Sequence, residues 1–555
     1  MNSDTASFSL LTSPWIKVLW HDGHQGEVSI LEAFENADAI AEITGDIPQQ
    51  SGVLLRLLDA IMRRAYGRSM LDRFSSIDLW LSMWERGSFD VDILSGYLDE
   101  YAGSFDLFGP KPFYQISDLE YASEKAFDPV SSLMADVPSK PEKHLFSLRG
   151  IAAPNRMTFA EAARWLVFTQ AYDIAGIKTP VVGNTHAKNG KAYAPKGIPG
   201  TGYLGNLGLV YLEGRNLFET LMWNFVLFDD ARADVCFLGS QEDLPPWEKG
   251  ESSPDSRELL APTGLVQLET LQSRRVRLIT SDGGNGVIGF ISCYGDLLHP
   301  VDAMKYETMA SMKQSEPQRV RLKLPVAPFM PRTHDAKRAM WRGLSGLLAV
   351  SVGVDQGLDD RPGVIRWMNI MADELAEVDD DFCDLLPKQV AIHAQGIEYG
   401  TQSSVYVDSF DDRLQIGSAL AVHDDEAVRL AIELADKADS AIFEVVKLVR
   451  ASEESKGDKA SKDIASARAQ DVLVAAYAEV DALFRAYLAG LTVGEDFHAR
   501  TLKCGDAIRR SVLRIGFDAA AQSNAQEFVT HSGHSVAYAK SQFVQRVNKL
   551  LPSSE

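Results

Sequence analysis

Apolar residues recur along this chain either in alternation or at helical spacing, and the two patterns predict most of its elements. Residues 8–35 alternate around a turn at Asp22 and Gly23, which predicts two short strands followed by the start of a helix. Apolar positions every three or four residues predict helices over 51–66, 75–86 and 91–102.

Helical spacing returns from Phe159 to Asp173. Thr158 and Glu161 have the residue types and the separation of a capping box, so the helix is expected to begin there. A long segment punctuated by glycines follows and ends in a strand-like run at 207–214. Further along, the pattern predicts a helix over 217–228 and strands between 265 and 298.

The last third of the chain changes character. Residues 388–416 read as two strands joined by a polar tip at 399–403, and no proline occurs between Pro387 and Pro552. Long amphipathic stretches cover 428–449, 473–487, 495–526 and 533–550. Such stretches with short links are typical of a four-helix bundle.

These patterns together predict an α+β fold. We expect a large mixed α/β domain over residues 1–416, which includes the hairpin at 388–416. A four-helix bundle is expected over residues 417–555.

Composition narrows the class of protein. The formal net charge of -22 and the pI near 5.0 argue against a surface that is basic throughout, so any nucleic-acid contact must be local or shared with partners. The four cysteines lie far apart, which favours reduced thiols over disulfides or a metal site. The longest apolar run, 343–354, is too short to span a membrane, and the N-terminus does not resemble a signal peptide. We therefore expect a soluble, cytoplasmic protein.

The glycine-rich segment carries the most informative local charge. From Ile174 to Leu212 there is no Asp or Glu, although the same segment holds eight glycines and four lysines. Glycines allow a backbone to approach a ligand closely, and lysines add positive potential, so the segment suits a polyanion. A neighbouring stretch, 144–157, has arginines and no acid. An ordinary basic surface loop would have the same composition.

The motifs that would indicate an enzyme are incomplete in this sequence. Residues 200–205 match GxGxxG, but a Pro- and Lys-rich loop precedes them and a strand-like run follows, which is the reverse of the dinucleotide-binding context. The His-Asp dipeptides at 21, 334 and 423 each stand alone, and no P-loop or GxSxG sequence occurs. A nucleotide-binding enzyme that uses residues 176–208, or a scaffold that binds a partner protein, stays as an alternative.

Several stretches resemble one known family. AEAARWLVFTQAYDIAGIK, then NGKAY and GTGYLGNLGLVYLEG, then LFETLMWN, together with SPWIKV near the start and the tryptophan-free C-terminal bundle, are similar to the CasA family. That family is the large subunit of the type I-E CRISPR complex Cascade. The resemblance implies a mixed α/β domain followed by a four-helix bundle, with no enzymatic activity, no cofactor and no metal.

The resemblance also implies partners and a role. Members bind the subunits that hold the CRISPR RNA, namely the backbone, small and guide-end-capping subunits, and they bind target double-stranded DNA. They recognise the protospacer-adjacent motif from the minor groove, help to open the duplex for R-loop formation, and recruit a helicase-nuclease in antiviral defence.

Family elements can be placed on this sequence by position. The glycine loop against the motif corresponds to Gly176, Ile177, Lys178 and Thr179. The preceding DNA-contacting loop corresponds to Leu148, Arg149 and Gly150, and a lysine finger to Lys305 or Lys313. The wedge that enters the duplex corresponds to Thr401, Gln402 and Ser403, with Gln402 as the inserted side chain.

Overall fold

The computed structural model describes the following residues: 6–70, 76–137, 155–227, 242–250, 252–259, 261–299, 301, 306–349, 360–378, 388–453, 459–522 and 536–553. These residues form both helices and strands, which confirms the mixed fold class. It divides into two compact units. Unit 1 comprises Met1–Lys337, Ser351–Trp367 and His393–Asp412, and unit 2 comprises Arg338–Val350, Met368–Ile392 and Arg413–Glu555.

Strands and helices alternate irregularly through the first part of the chain. In chain order they are β1 (Ile16–Trp20), β2 (Gln25–Val28), α1 (Ile30–Glu35), β3 (Ile40–Ile43), α2 (Gln49–Met70), α3 (Ser76–Arg86), α4 (Val91–Glu100), β4 (Asp128–Pro129), α5 (Phe159–Tyr172), β5 (Leu209–Glu213), α6 (Leu217–Asn224), β6 (Arg257–Leu259), α7 (Leu265–Glu269), β7 (Arg274–Thr280), β8 (Val287–Tyr294), β9 (Asp296–Leu298), β10 (Met312–Gln314), α8 (Glu316–Leu322) and β11 (Phe329–Pro331).

The second part is mainly helical. It contains α9 (Ser345–Leu348), α10 (Gly363–Val378), β12 (Gln389–Tyr399), β13 (Tyr406–Gly417), α11 (Ser418–Ala421), α12 (Asp425–Glu453), α13 (Lys459–Ala489), α14 (Phe497–Ala521) and α15 (Val536–Leu550). The predicted hairpin at 388–416 and the helices predicted at 51–66, 75–86 and 91–102 are confirmed within a few residues.

Small sheets rather than one large sheet contain the described strands. Their strand orders are β2-β1-β3, β13-β12-β5 and β4-β8-β7, with the two-stranded pairs β10-β11 and β6-β9. Strand β7 pairs with β8 in antiparallel register, so that Arg274 lies opposite Tyr294. This pairing places both side chains at one end of the ribbon, next to the C-terminal end of α5.

Helices α2 and α5 form the core of unit 1. Every residue of α5 from Ala162 to Tyr172 is buried, which a helix can sustain only when packed on several sides. Its N-cap is Thr158, whose side chain accepts from the Glu161 N–H at 3.1 Å, as the sequence predicted. On α2 the buried Arg56 makes a paired hydrogen bond with Glu307 at 2.9 and 3.2 Å, so this interior cation has a carboxylate partner.

One predicted element is wrong. Residues 265–269 form the short helix α7 instead of the start of a strand. The Asp243 carboxylate accepts from the backbone N–H groups of Val266 and Gln267, each at 2.9 Å, and so satisfies the first turn from a position more than twenty residues upstream. Alternation of apolar residues could not reveal a cap supplied from so far away.

Unit 2 contains the predicted bundle. Helices α12, α13, α14 and α15 pack together, and each turns an apolar stripe inward; among its buried residues are Ile442, Val445, Val480, Phe484, Val512 and Val547. Gly516 lies against the Phe543 ring, where an added Cβ would come within 2.5 Å of a ring carbon. The four-helix bundle is therefore confirmed, whereas the domain boundary at 416 stays a prediction.

Among the described helices, none is both long and apolar enough to cross a membrane. Within the same residues, no group of three or more His, Cys, Asp or Glu side chains could hold a metal ion.

Candidate nucleic-acid interface

The predicted glycine loop leaves the C-terminal end of α5. Asp173 is the C-cap of that helix, and its N–H donates to the carbonyl of Thr169. Gly176 has φ of +122°, a conformation that side chains rarely adopt, so a glycine is required there. Ile177 follows and is 57% exposed, and Lys178 returns to the fold through two backbone hydrogen bonds with Ala192, one in each direction and each 3.0 Å long. The exposed part of the loop is thus Gly176 and Ile177.

A buried ion cluster lies beneath this loop. The Lys178 ammonium donates to the Asp173 carboxylate at 2.7 Å, and the guanidinium of Arg274 on β7 donates to the same oxygen. The side chains of Lys178 and Asp173 are each 17% exposed, and that of Arg274 is fully buried. Lys178 is therefore directed toward a carboxylate of its own chain, and its predicted place in a DNA-contacting loop stays a prediction.

The same cluster fixes the backbone of the loop. Arg274 donates to the carbonyls of Ile174 and Gly200, at 3.1 and 2.7 Å, so one guanidinium joins both ends of the segment. The hydroxyl of Tyr294 donates to the carbonyl of Gly176 at 2.5 Å, and the Tyr294 ring packs on Arg274 with 5.0 Å between guanidinium carbon and ring centroid. The carbonyls held in this way fix the backbone conformation of Gly176 and Ile177.

The pKa values follow from burial and from these charges. Burial raises the pKa of Asp173, but the attraction of Lys178 and Arg274 outweighs it, and the net shift is downward. Burial lowers the pKa of Lys178; Asp173 opposes this shift and the like charge of Arg274 adds to it. A negative charge is unfavourable at a helix C-terminus, so Asp173 depends on its two cationic partners.

The hairpin tip lies directly beside the glycine loop. The N–H of Ala175 donates to the carbonyl of Ser403 at 2.8 Å, and a Cβ at Gly176 would lie 3.8 Å from the Cβ of Ser404. Deeper in the fold, the hydroxyl of Tyr399 donates to the carbonyl of Tyr172 at 2.7 Å. The structure therefore brings together two predicted elements that are more than 200 residues apart in sequence.

The tip itself has an unusual backbone. Gln402 and Ser403 have φ of +56° and +52°, and the turn is closed by the Ser403 N–H on the Gly400 carbonyl at 2.9 Å. Two consecutive non-glycine residues in the left-handed region cost on the order of 1–2 kcal/mol each. The side chains of Thr401 and Gln402 are exposed at the end of the hairpin. A strained tip with an exposed polar side chain is the geometry expected of the predicted wedge, although the assignment itself stays a prediction.

Although the segment 174–212 has no Asp or Glu in its sequence, carboxylates from outside it pack against it in the fold. Asp173 lies one residue before it and neutralises Lys178, and Asp255 accepts from the backbone and hydroxyl of Thr185 and pairs with His186 at 3.1 Å. None of the ion pairs within the described part of the chain includes Lys188, Lys191 or Lys196, and all three are exposed.

Other predicted site residues are placed as follows. Thr179 is half-buried beside Lys178, and Lys313 is exposed on β10. Leu148, Arg149, Gly150 and Lys305 lie outside the described residues.

The GxGxxG segment has a packing role. A Cβ at Gly202 would lie 2.3 Å from backbone atoms of Ala171, and one at Gly205 would lie 2.4 Å from the Tyr399 hydroxyl. A short 3₁₀ turn, Tyr203–Asn206, and then β5 follow, where a dinucleotide site needs a helix. These glycines therefore allow close packing, and the geometry disfavours a dinucleotide.

Sequence reasoning did not find Arg274, Tyr294 or Asp255. Arg274 and Tyr294 lie in strands that read as ordinary alternation, so no local signal marked them. Asp173 was within reach, because it immediately precedes the segment without carboxylates.

Comparison with known proteins places the fold in a family. The family model of CRISPR-associated protein Cse1 matches residues 9–515. A CasA/Cse1 protein of Thermus thermophilus is 30% identical over 345 residues, which cover 61% of this chain and only 60% of that relative. The crystal structure of Thermobifida fusca Cse1 superposes with a TM-score of 0.83 at 30% identity, covering 100% of this chain and 99% of that one.

A chain from a structure of a CRISPR RNA-guided surveillance complex matches with a TM-score of 0.64 at 18% identity, over 93% of this chain and 99% of that one, and this likeness shows the fold alone. The match of the family model over 9–515 confirms the resemblance noted in the sequence. The chain belongs to the CRISPR-associated protein Cse1 family, also called CasA.

Proposed function

We propose that this chain is the non-catalytic large subunit of a type I-E CRISPR RNA-guided surveillance complex. In this role it recognises the protospacer-adjacent motif in double-stranded DNA, helps to open the duplex for R-loop formation, and recruits the helicase-nuclease. Its partners are the subunits that carry the CRISPR RNA, and its compartment is the cytoplasm. Membership of the Cse1 family and the shared fold support the proposal.

The observation that carries the proposal is the contact between the glycine loop and the hairpin tip. Ala175 and Ser403 are joined by a 2.8 Å backbone hydrogen bond, so a duplex that lies against Gly176 and Ile177 has the tip beside it. Recognition and insertion then occur at neighbouring base pairs. Binding energy gained at the motif can therefore offset the cost of unstacking the adjacent base pairs.

The chemistry of the loop fits a reader of the minor groove. The minor groove presents a degenerate pattern that distinguishes mainly A·T from G·C pairs. Gly176 and Ile177 offer backbone groups and one branched apolar side chain at their exposed edge, and Lys178 is held by Asp173. A reader of this kind tolerates several related motifs.

The energetics of opening are finely balanced. Inserting a side chain into the stack costs a few kcal/mol, whereas exchange of DNA duplex for an RNA–DNA hybrid is nearly neutral. A modest local push therefore decides whether opening begins. Gln402 is the side chain that we assign to this push, because it is exposed at the tip of the hairpin.

The experiment compares opening with binding in the assembled, guide-loaded complex. Gln402→Gly is a clean variant, because glycine adopts φ of +56° readily and removes only the side chain. We expect Gln402→Gly, and more strongly Gln402→Gly with Thr401→Ala, to slow strand separation of a target duplex while motif-dependent binding stays measurable. Gln402→Asn is the matched control, since asparagine also tolerates this backbone and keeps an amide.

Two results would contradict the proposal. Complexes with and without this chain that bind motif-bearing and motif-lacking duplexes equally would remove the recognition role. Unchanged opening rates in Gln402→Gly and in Gln402→Gly with Thr401→Ala would remove the tip from the mechanism while leaving recognition intact.

A further inference from the structure

A two-residue hairpin projects from the glycine-rich segment and carries a lysine on each side. Asn189 and Gly190 have φ of +52° and +69°, the pair of left-handed residues that a type I′ turn requires. The backbone N–H of Lys188 donates to the carbonyl of Lys191 at 2.9 Å, and the backbone N–H of Lys191 donates to the carbonyl of Lys188 at 3.1 Å. The hairpin is therefore closed and has a defined register.

Residues paired in this way across an antiparallel turn point their side chains to the same face, with Cβ atoms roughly 4.5–5.5 Å apart. Lys188 and Lys191 are both exposed, so their side chains extend into solvent from neighbouring positions on one face. Like charges directly opposite each other are destabilising. Among the described residues no carboxylate pairs with either lysine, so both ammonium groups are available to a bound anion.

The hairpin is continuous with the glycine loop. Ala192, which follows Lys191, makes the two-way backbone bridge with Lys178. Because the bridge is antiparallel, Ile177 and Tyr193 lie on the same side of it, and they are 57% and 48% exposed. An apolar side chain, an aromatic ring and two cations therefore lie along one connected edge of the molecule.

We propose that Lys188 and Lys191 bind backbone phosphates of the target duplex beside the glycine loop, and this inference rests on the proposed function. DNA carries a negative charge about every 1.7 Å of its axis, so a duplex at the loop has phosphates within reach of both lysines. These contacts are independent of sequence and fix the duplex in register, while Gly176 and Ile177 face the groove.

The test is the salt dependence of duplex binding by the guide-loaded complex. Each phosphate contact contributes about 0.9 to the slope of log K against log salt, so Lys188→Ala with Lys191→Ala should make the slope shallower by about 1.8. Between 50 and 200 mM salt, the wild-type complex should then lose about 12-fold more affinity than the double variant. Lys188→Arg with Lys191→Arg keeps both charges and should retain the wild-type slope.

The matched control is Lys437→Ala with Lys447→Ala. It removes the same charge from α12, where each ammonium already pairs with a glutamate of its own helix, at 3.4 and 2.6 Å. We expect the wild-type slope from this control. An equal change in both double-alanine variants would mean that net charge, not the hairpin, sets the slope, and the proposal would fail.

The outcomes separate this inference from the proposed function. An unchanged slope in the Lys188 and Lys191 double-alanine variant, while the complex still distinguishes motif-bearing duplexes, overturns only the hairpin contact. The double-alanine variant can instead change the salt dependence of assembly of this chain onto the guide-containing subunits and leave that of duplex binding unchanged. That result also overturns the hairpin contact, because the phosphates would then belong to RNA. A wild-type complex that binds motif-bearing and motif-lacking duplexes equally would overturn the proposed function itself.

Discussion

Replacing Asp173 with asparagine tests whether the buried ion cluster holds the glycine loop. The carboxylate accepts from Lys178 at 2.7 Å and from the fully buried Arg274. Breaking a buried ion pair by removing one partner typically costs about 3–5 kcal/mol. Backbone carbonyls of Ile174 and Gly200 still accept from Arg274, which places the loss at the lower end of this range. Removing a negative charge from the C-terminus of α5 returns about 0.5 kcal/mol. We therefore expect Asp173→Asn to lower the free energy of unfolding by about 2–3 kcal/mol.

The tryptophans provide a probe for the unit that contains the cluster. Eight of the nine lie in unit 1, and Trp341 alone belongs to unit 2. Urea unfolding followed by tryptophan fluorescence should therefore report mainly on unit 1. Far-ultraviolet circular dichroism reports on all helices, including the long ones of unit 2. Asp173→Asn should move the fluorescence transition to lower urea and leave the part of the dichroism signal due to the bundle in place.

The control and the pH dependence sharpen this test. Asp22→Asn removes a carboxylate that is 72% exposed and should change the free energy of unfolding far less than Asp173→Asn does, because solvent screens its charge. Because the folded pKa of Asp173 is lowered, its contribution is full above the unfolded pKa near about 3.9 and is lost as pH falls through the folded pKa. The wild-type advantage over Asp173→Asn should therefore shrink only in acid. A loss below about 1 kcal/mol at neutral pH, or one equal to that of Asp22→Asn, would refute the argument.

Two further predictions concern single side chains. Tyr294→Phe removes the hydrogen bond to the Gly176 carbonyl and should cost about 1 kcal/mol in urea unfolding, together with a smaller ratio of affinities for motif-bearing over motif-lacking duplexes. If the variant loses this stability but keeps the wild-type ratio of affinities, the hydrogen bond does not shape the exposed edge of Gly176 and Ile177. Buried His393 lies between Glu213 at 2.6 Å and Asp411 at 2.8 Å. Burial lowers the pKa of His393, but the hydrogen bonds and the attraction of these two carboxylates outweigh burial, so the net shift in its pKa is upward. Its contribution is then complete below about pH 6.5 and lost as pH rises through the folded pKa, so the stability difference between wild type and His393→Gln should be larger at about pH 6 than at about pH 9; a pH-independent difference would contradict it.

The sequence by itself determined the local elements. Helical periodicity, the Thr158 cap and the hairpin at 388–416 depend on residues a few positions apart, and the structure has them close to where the pattern predicts. Residue composition also identified the glycine-rich segment without carboxylates, and at Gly176 the positive φ shows that glycine meets a local conformational requirement. Family resemblance added the positions of the loop and the tip.

Only the tertiary structure decided which of those residues meet. Asp243 caps α7 from upstream, Asp173 and Arg274 hold Lys178, and Ser403 binds Ala175. Each of the contacts with Asp243, Arg274 and Ser403 joins residues separated by more than twenty positions, and electrostatic pairing depends on distance in space, which periodicity along the chain does not contain. For this reason the sequence showed that the segment is basic, whereas the fold decided that Lys178 is neutralised and that Lys188 and Lys191 stay exposed.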